Sequence, residues 1–267
     1  MSTVHSSSAS SLPDKPVGAL MNGLAILRYL SNANESLGVT RIARDLELNP
    51  STCFNLLKTL AHEGLINFDE TSKTYAIGLG VVELAKGALE QNSYVRMIRP
   101  HLQEIANRHQ VTATLWQRTK GDRVVLLDLA DSDSTIRVHM SIGQRLPMYV
   151  AALGRCMAAA TDLSDDALRE KFLALRWENR PSFEDYLKEI EKVRLDGYAV
   201  DEGHHVKGVT TVSSAVLDDL KRPVMAISAV GFSAQLSSSD IQDLGGLIQS
   251  KTQKISSVIS VRPFVLV

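Results

Sequence analysis

Short polar side chains recur at helical spacing between residues 50 and 62. One side of the predicted helix carries Ser51, Asn55, Lys58 and His62, flanked by Thr52 and Thr59. Hydroxyl and amide groups can read base edges in a major groove, whereas a lysine contacts phosphate. We therefore predict that this helix binds DNA through Pro50, Ser51, Thr52, Asn55, Lys58 and Thr59. A polar helix face alone would equally be a solvated surface, so the prediction depends on the surrounding elements.

Two further helices are predicted before this one. An apolar stripe, predicted to face inward on the first helix, is formed by Leu20, Leu24, Leu27 and Leu30. The second, shorter helix buries Val39, Ile42, Ala43 and Leu46. A tight connection leads to Asn49-Pro50, which is typical of a helix start because Asn caps the first turn and Pro needs no amide partner there. Gly64 ends the third helix.

A β-hairpin follows, with strands predicted at Leu65–Phe68 and Thr74–Ile77. Its turn places Lys73 at the DNA backbone, and the whole series indicates a winged helix-turn-helix. Residues 1–78 carry six basic and seven acidic groups, so the attraction to phosphate is modest for one chain. We therefore expect two copies to bind double-stranded DNA together, at a pseudo-palindromic operator.

A second candidate site lies where Pro147 interrupts the chain just before an alanine-rich helix at Val150–Ala160. The first amides of a helix have no partner within it and can hold an anion. We predict that the amides around residues 150–153 bind an anion. Met148 and Tyr149 stand directly before them and could widen the choice towards aromatic acids.

Residues able to bind metal or to catalyse a reaction are also present. His204 and His205 follow Asp201 and Glu202, but adjacent histidines on a strand point to opposite faces and rarely share an ion. We predict two surface histidines, with no metal and no cofactor. The sequence has neither a Gly-x-Ser-x-Gly nor a His-Glu-x-x-His motif. A serine near His204 could act as a nucleophile, but nothing supports it, and we do not expect an enzyme.

Composition fits these expectations. The chain has 267 residues, of which 44% are hydrophobic and 22% charged, with a net charge of −1. It contains no apolar run near the ~20 residues of a membrane helix, and its serine-rich start lacks the apolar core of a secretory signal. The two cysteines, Cys53 and Cys156, are far apart, which suits the reducing cytoplasm. We therefore expect a cytoplasmic protein without a membrane partner.

Four zones are predicted along the chain. They are a disordered tail at 1–16, a DNA-binding domain at 17–78, a linker helix at 79–93, and an effector-binding and oligomerisation domain at 94–267. Helices are predicted in the last zone at Met97–His109, Val150–Ala160, Ser164–Leu175, Phe183–Asp196 and Ser237–Ile259. Strands are predicted at Ala113–Arg118, Arg123–Leu129, Thr135–Met140, Val209–Leu217 and Pro223–Val230. Because the strands sit in hairpins, the sheet should be mainly antiparallel, which makes the fold class α+β.

Three segments resemble the isocitrate lyase regulator (IclR) family. They are the reader segment from Val39 to Leu60, the segment Gly143–Arg155, and the segment from Gly197 to Val216. The resemblance extends over nearly the whole chain after the tail, and it implies a winged helix-turn-helix, a linker helix and a GAF-like α/β effector domain. It also implies dimers or tetramers that repress or activate catabolic genes. Asn55 departs from the family pattern, since many members carry a basic residue there.

The same resemblance implies residues of an effector site. Backbone contacts to a carboxylate fall on Ala152 and Leu153, and side-chain contacts on Asp201, Thr211 and Ser228. The apolar wall falls on Met140, Leu146 and Val209, while Val230 replaces a residue that can carry a hydroxyl. These apolar residues would equally be simple core, Ser228 would equally bond a neighbouring backbone group, and Asp201 would equally form a solvated pair with Glu202. The remaining alternative is an architectural DNA binder whose second domain only oligomerises.

Overall fold

The computed structural model describes residues 17–33, 35–84 and 93–259, and the chain divides into two compact units, the second of which begins at residue 93. The predicted tail and most of the predicted linker lie outside these residues, although residues 80–84 are helical. Within the described residues, no helix has the length and apolar character to cross a bilayer.

The first unit is a winged helix-turn-helix, as predicted. Its elements in chain order are α1 (Gly18–Ser31), β1 (Leu37–Gly38), α2 (Val39–Asp45), α3 (Pro50–His62), β2 (Ile66–Asp69) and β3 (Thr74–Ile77). The three strands form one antiparallel sheet in the order β1-β3-β2. Its small core joins Ile26 and Leu30 of α1 to Ile42 of α2 and to Leu57 of α3.

The start of α3 follows directly from its sequence. The Asn49 side chain accepts a hydrogen bond from the Ser51 amide at 3.0 Å, and Pro50 occupies the first turn. After α3, Gly64 adopts a left-handed φ of +68°, which glycine accommodates without strain. Both ends of the helix are therefore set by local chemistry.

The face predicted to be buried on α1 is right at Leu30, which is buried, and at Leu27, which packs against the core, and wrong at its first two leucines. Leu20 and Leu24 are exposed, at 63% and 41%, whereas Gly23, Ile26 and Leu30 face the core. The helix carries two adjacent apolar stripes, and its packing against α3 and β3 selects the one centred on Ile26. Leucine spacing alone could not choose between them.

The second unit is built on one six-stranded antiparallel sheet. Its helices are α4 (Ser93–His109), α5 (Ala151–Ala159), α6 (Asp165–Leu173), α7 (Phe183–Asp196) and α8 (Ser238–Ile259). Its strands are β4 (Thr112–Thr119), β5 (Arg123–Ala130), β6 (Arg145–Pro147), β7 (Ala199–Glu202), β8 (Val209–Leu217) and β9 (Pro223–Phe232). The strand order is β6-β5-β4-β9-β8-β7, and every pairing is antiparallel, as expected.

Helices cover both faces of this sheet. One face packs against α4 and α8 through residues such as Leu115, Ile227 and Leu244. The other face packs against α5, α6 and α7 through Trp116, Leu153 and Tyr186. Side chains alternate between the two faces along each strand, so the register decides which residues can meet beneath α5.

One predicted strand, Thr135–Met140, is wrong. These residues form no strand, and Ile136 is largely exposed. The free edge of β5 pairs instead with β6, where Val124 lies opposite Leu146. The short strands β1, β6 and β7, which have two to four residues, were not predicted.

The capping bond of Asn49 should stabilise α3 locally. We expect Asn49→Ala to lower the local stability of α3 by about 1 kcal/mol, because the Ser51 amide loses its acceptor. Hydrogen-exchange mass spectrometry of peptides from α3 should then show roughly fivefold faster exchange. Asn49→Ser, which restores an acceptor, is the control, and equal exchange in the two variants would contradict the assigned cap.

Candidate DNA-binding helix and effector site

The exposed face of α3 carries the predicted DNA-contacting residues. Exposed side chains on α3 include Pro50, Ser51, Thr52, Asn55, Lys58 and Thr59, while Cys53 and Leu57 are buried. Two of the hydroxyls already donate hydrogen bonds, Ser51 to the Asn49 side chain at 2.7 Å and Thr59 to the Asn55 carbonyl at 3.0 Å. The face is therefore polar, ordered and accessible.

Phe54 also lies on this exposed side, and the sequence reasoning missed it. Phe54 is 49% exposed. Its neighbours one turn before and one turn after it on the helix, Ser51 and Lys58, are exposed as well. An apolar ring on a groove-reading helix can contact the thymine methyl group. The signal in the sequence that could have revealed Phe54 was the presence of a large aromatic residue beside the polar stripe of α3.

The wing places Lys73 at its turn. Asp69 closes the turn by accepting hydrogen bonds from the amides of Thr71 at 2.8 Å and Ser72 at 3.2 Å. These hydrogen bonds lower the pKa of the Asp69 carboxyl, and the bond from the Ser72 amide contributes most. Lys73 has a left-handed φ of +55°, is exposed, and holds its ammonium 5.7 Å from the centre of the Phe68 ring.

In the second unit, strand register brings the predicted polar effector residues onto one face of the sheet. Thr211 pairs with Asp201 on one side and with Val230 on the other. Ser228 pairs with Ser213, whose hydroxyl donates to that of Ser228 at 2.7 Å. Residues paired directly across antiparallel strands share a face. Val209, two residues before Thr211 on β8, therefore lies on this face as well.

The predicted apolar residues meet on the same face, beneath α5. One cluster contains Met140, Leu146, Met148, Tyr149 and Leu153, and Ala152 belongs to the adjoining cluster with Cys156. Tyr149 is buried with the Lys171 ammonium 5.8 Å from its ring centre. Burial raises the pKa of its phenol to about 12, so it stays protonated. The structure thus brings these six residues to the sheet face that carries the polar effector residues.

The start of α5 is buried and has no side-chain cap. Val150 occupies the capping position without a side-chain hydrogen bond, and Ala152 and Leu153 are buried. Ala151 has a left-handed φ of +55°, and a Cβ at Gly154 would lie 2.0 Å from the carbonyl carbon of Tyr149. The first amides of a helix lack acceptors within it, so this tight turn presents buried donors suited to an anion.

A fully buried arginine lies one turn further along α5, and the sequence reasoning gave it no role. Arg155 is 0% exposed and pairs with Asp201 at 2.9 Å and with Glu189 of α7 at 2.5 Å. Its guanidinium carbon lies 5.4 Å from the centre of the Tyr186 ring. The arginine therefore joins α5, α7 and β7. No local pattern could reveal it, because Asp201 is 46 residues away in sequence.

Comparison with known proteins identifies the chain. The family model described as "Bacterial transcriptional regulator IclR C-terminal" matches residues 86–257, and the model of the IclR helix-turn-helix domain matches residues 19–70. This chain belongs to the IclR family. It is therefore a DNA-binding transcriptional regulator and not an enzyme, and the family's members bind DNA and small-molecule effectors.

Individual relatives agree over nearly the full length. The transcriptional repressor AllR of Escherichia coli K12 is 28% identical over 260 residues, which cover 95% of this chain and 94% of AllR. A crystal structure of an IclR-family regulator from Alicyclobacillus acidocaldarius superposes with a TM-score of 0.77 at 25% identity, covering 91% of this chain and 99% of the other. An IclR homologue from Microbacterium hydrocarbonoxydans, complexed with 4-hydroxybenzoate, shares the fold with a TM-score of 0.73 at 14% identity, covering 92% and 100%.

Two sequence-based interpretations of this IclR-family site need revision. Asp201 does not form a solvated pair with Glu202, because it is 1% exposed, bonds Arg155, and accepts from the amides of His204 and His205. In this structure it holds α5 and the β7–β8 turn in place. The two histidines are half-buried rather than on the surface, and His204 Nδ1 lies 3.2 Å from an Arg155 nitrogen. Among the described residues, no cluster is arranged to bind a metal ion.

Loss of the ion pairs of Arg155 should strongly destabilise the second unit. We expect Arg155→Met to lower its free energy of unfolding by about 3–5 kcal/mol, because Asp201 stays buried without a counter-charge. Urea denaturation followed by circular dichroism measures the change. Arg222→Met, which breaks the more exposed pair with Asp218, should cost less than about 1 kcal/mol. Equal losses in the two variants would contradict the importance of the buried pair.

Proposed function

We propose that this regulator senses a small carboxylic acid and that the acid controls its binding to a pseudo-palindromic operator of catabolic genes. The observation that carries the effector part is the buried, uncapped start of α5. Buried amides without acceptors are costly, and a carboxylate would satisfy them. Thr211 supports the same site, since its buried hydroxyl has no hydrogen-bond partner among the described residues.

The effector's carboxylate would bind the amides of Ala152 and Leu153, with Thr211 and Ser228 on the strand face below. Met140, Leu146, Met148 and Val209 would supply apolar contact to its body. The 4-hydroxybenzoate found in the Microbacterium relative supports an acid of similar kind, including an aromatic one. Tyr149 would act by shaping the turn, because its ring packs beneath Lys171.

On the DNA side, Ser51, Thr52 and Asn55 of α3 would meet base edges. Lys58 and the wing residue Lys73 would contact phosphates, with Pro50 and Thr59 beside them. Phe54 would add an apolar contact in the groove. The support is the exposure of this face together with the capped start of α3 and the ordered turn of the wing.

A dimer or tetramer would present two such helices to one operator. The exposed stripe Leu20, Met21 and Leu24 on α1 supports self-association, because adjacent exposed apolar side chains are typical of an interface. The acid would act by binding more tightly to one arrangement of the assembly than to another, since a ligand without such a preference shifts no equilibrium.

Lys58 offers a direct test of the DNA-binding face. We expect Lys58→Gln to weaken binding to all duplex sequences alike and to reduce the slope of log affinity against log salt by about 1 for each reading helix. Fluorescence anisotropy with a labelled operator, repeated at several salt concentrations, measures both effects. Lys207→Gln, an exposed lysine of the second unit, is the control, and an unchanged slope for Lys58→Gln would rule out its phosphate contact.

Leu146 offers the corresponding test of the effector site. We expect Leu146→Glu to abolish acid-induced thermal stabilisation and acid-induced change in operator affinity, because a charged side chain would replace apolar contact to the body of the ligand. DNA affinity without acid should be retained. Gln144→Glu adds the same charge at an exposed position two residues away and should respond normally. A normal response from Leu146→Glu would place the acid elsewhere.

A further inference from the structure

The first two turns of α3 expose uncharged side chains. They are those of Pro50, Ser51, Thr52, Phe54 and Asn55. The exposed lysine and histidine of the helix, Lys58 and His62, lie in the turns that follow. In helix-turn-helix proteins, the residues that contact base edges stand at the start of the reading helix. Under the proposed function, base edges would therefore meet uncharged groups.

Two hydroxyl groups on α3 already use their hydrogens within the first unit. Ser51 donates to the side chain of Asn49 at 2.7 Å, and Thr59 donates to the Asn55 carbonyl at 3.0 Å. A hydroxyl that donates elsewhere can offer only its lone pairs to a base. The major-groove edge of guanine presents two acceptors, N7 and O6, whereas adenine and cytosine each present an amino donor there. These two hydroxyls therefore suit an amino group and not guanine.

The side chain of Asn55 offers a donor and an acceptor next to each other. It is exposed and makes no hydrogen bond within the part of the chain that the structure describes. Adenine presents one donor, its N6 amino group, beside one acceptor, N7, and an asparagine amide can bond both at once. Guanine would leave the amide oxygen of Asn55 facing an acceptor. Asn55 is therefore suited to adenine.

Phe54 adds an apolar group beside that amide. It is half-exposed and does not belong to the core that α3 shares with α1 and α2. The apolar feature of a base edge in the major groove is the C5-methyl group of thymine. The Cα atoms of Phe54 and Asn55 lie about 3.8 Å apart, which is close to the roughly 3.4 Å step between base pairs. The two side chains can therefore reach the same base pair or two adjacent ones.

We propose that Phe54 and Asn55 make this regulator specific for A·T base pairs, with Asn55 bonding an adenine edge and Phe54 packing on a thymine methyl group. The inference rests on the proposed function, which places α3 in the major groove. It adds the identity of the bases, and it makes the methyl group of thymine part of what the protein recognises. Uracil pairs as thymine does but lacks this methyl group, so the protein should distinguish the two.

Base replacement in a selected duplex tests the proposal. The full-length protein selects a duplex from a random pool, and fluorescence anisotropy measures its affinity. Each thymine of one half-site is then replaced by uracil, and each adenine by 7-deazaadenine, which lacks N7. We expect one uracil to weaken binding roughly fourfold, as burial of one carbon group predicts. One 7-deazaadenine, in the same or the adjacent base pair, should weaken it roughly fivefold.

Four variants assign these effects to their residues. Phe54→Ala should bring the ratio of thymine to uracil affinity to about 1, and Asn55→Ala should do the same for the adenine ratio. Each should leave the other ratio within about twofold. Phe54→Leu, which keeps an apolar side chain, should retain a thymine preference of more than about twofold. Leu195→Ala removes an 87% exposed apolar side chain from the second unit, and as the control it should change neither ratio.

The outcomes separate this inference from the proposed function. Selected half-sites without A·T pairs, a duplex that no uracil weakens, or an alanine variant that keeps the ratio it should lose would overturn the base assignment and leave DNA binding by α3 standing. If the selection enriches no duplex and none binds at low salt, the DNA-binding face itself is wrong and the inference falls with it.

Discussion

The arrangement of helices and strands in the second unit depends on one buried cation. Arg155 projects from α5 into a region without solvent, where Asp201 and Glu189 neutralise it and Tyr186 contacts its guanidinium group. Burying such a charge is costly unless every partner is in place. The pairing therefore fixes α5, α7 and β7 relative to one another. Since the start of α5 and the end of β7 both border the proposed effector site, the same interaction fixes its walls.

This constraint also bears on how a ligand could be sensed. A ligand bound between α5 and the sheet would press on elements that Arg155 already joins, so they would respond together rather than one by one. The interior is close-packed and has discrete arrangements rather than continuous ones. The buried ion pair thus favours movement of the unit as one body over local rearrangement within it.

Local signals in the sequence predicted much of this architecture. The bounds of α7 and β8 agree with the structure, because a serine cap, a left-handed glycine and strand alternation are all read from adjacent residues. The first half of the predicted face of α1, Leu20 and Leu24, was mistaken because tertiary contacts chose between two apolar stripes. At the proposed effector site, an acidic pair at 201–202 looks solvent-exposed in sequence. Its burial follows from Arg155, which no window of neighbouring residues contains.

The close approach of Gly154 to the Tyr149 carbonyl limits how this protein can acquire a new ligand. The groups offered by the turn are main-chain amides, which no substitution alters in kind, and even one methyl group at Gly154 would displace the backbone. Under the proposed function, preference for an acid would therefore persist through extensive divergence. Discrimination among acids would instead come from side chains on the strands, and those are the positions to vary when building a biosensor for another compound.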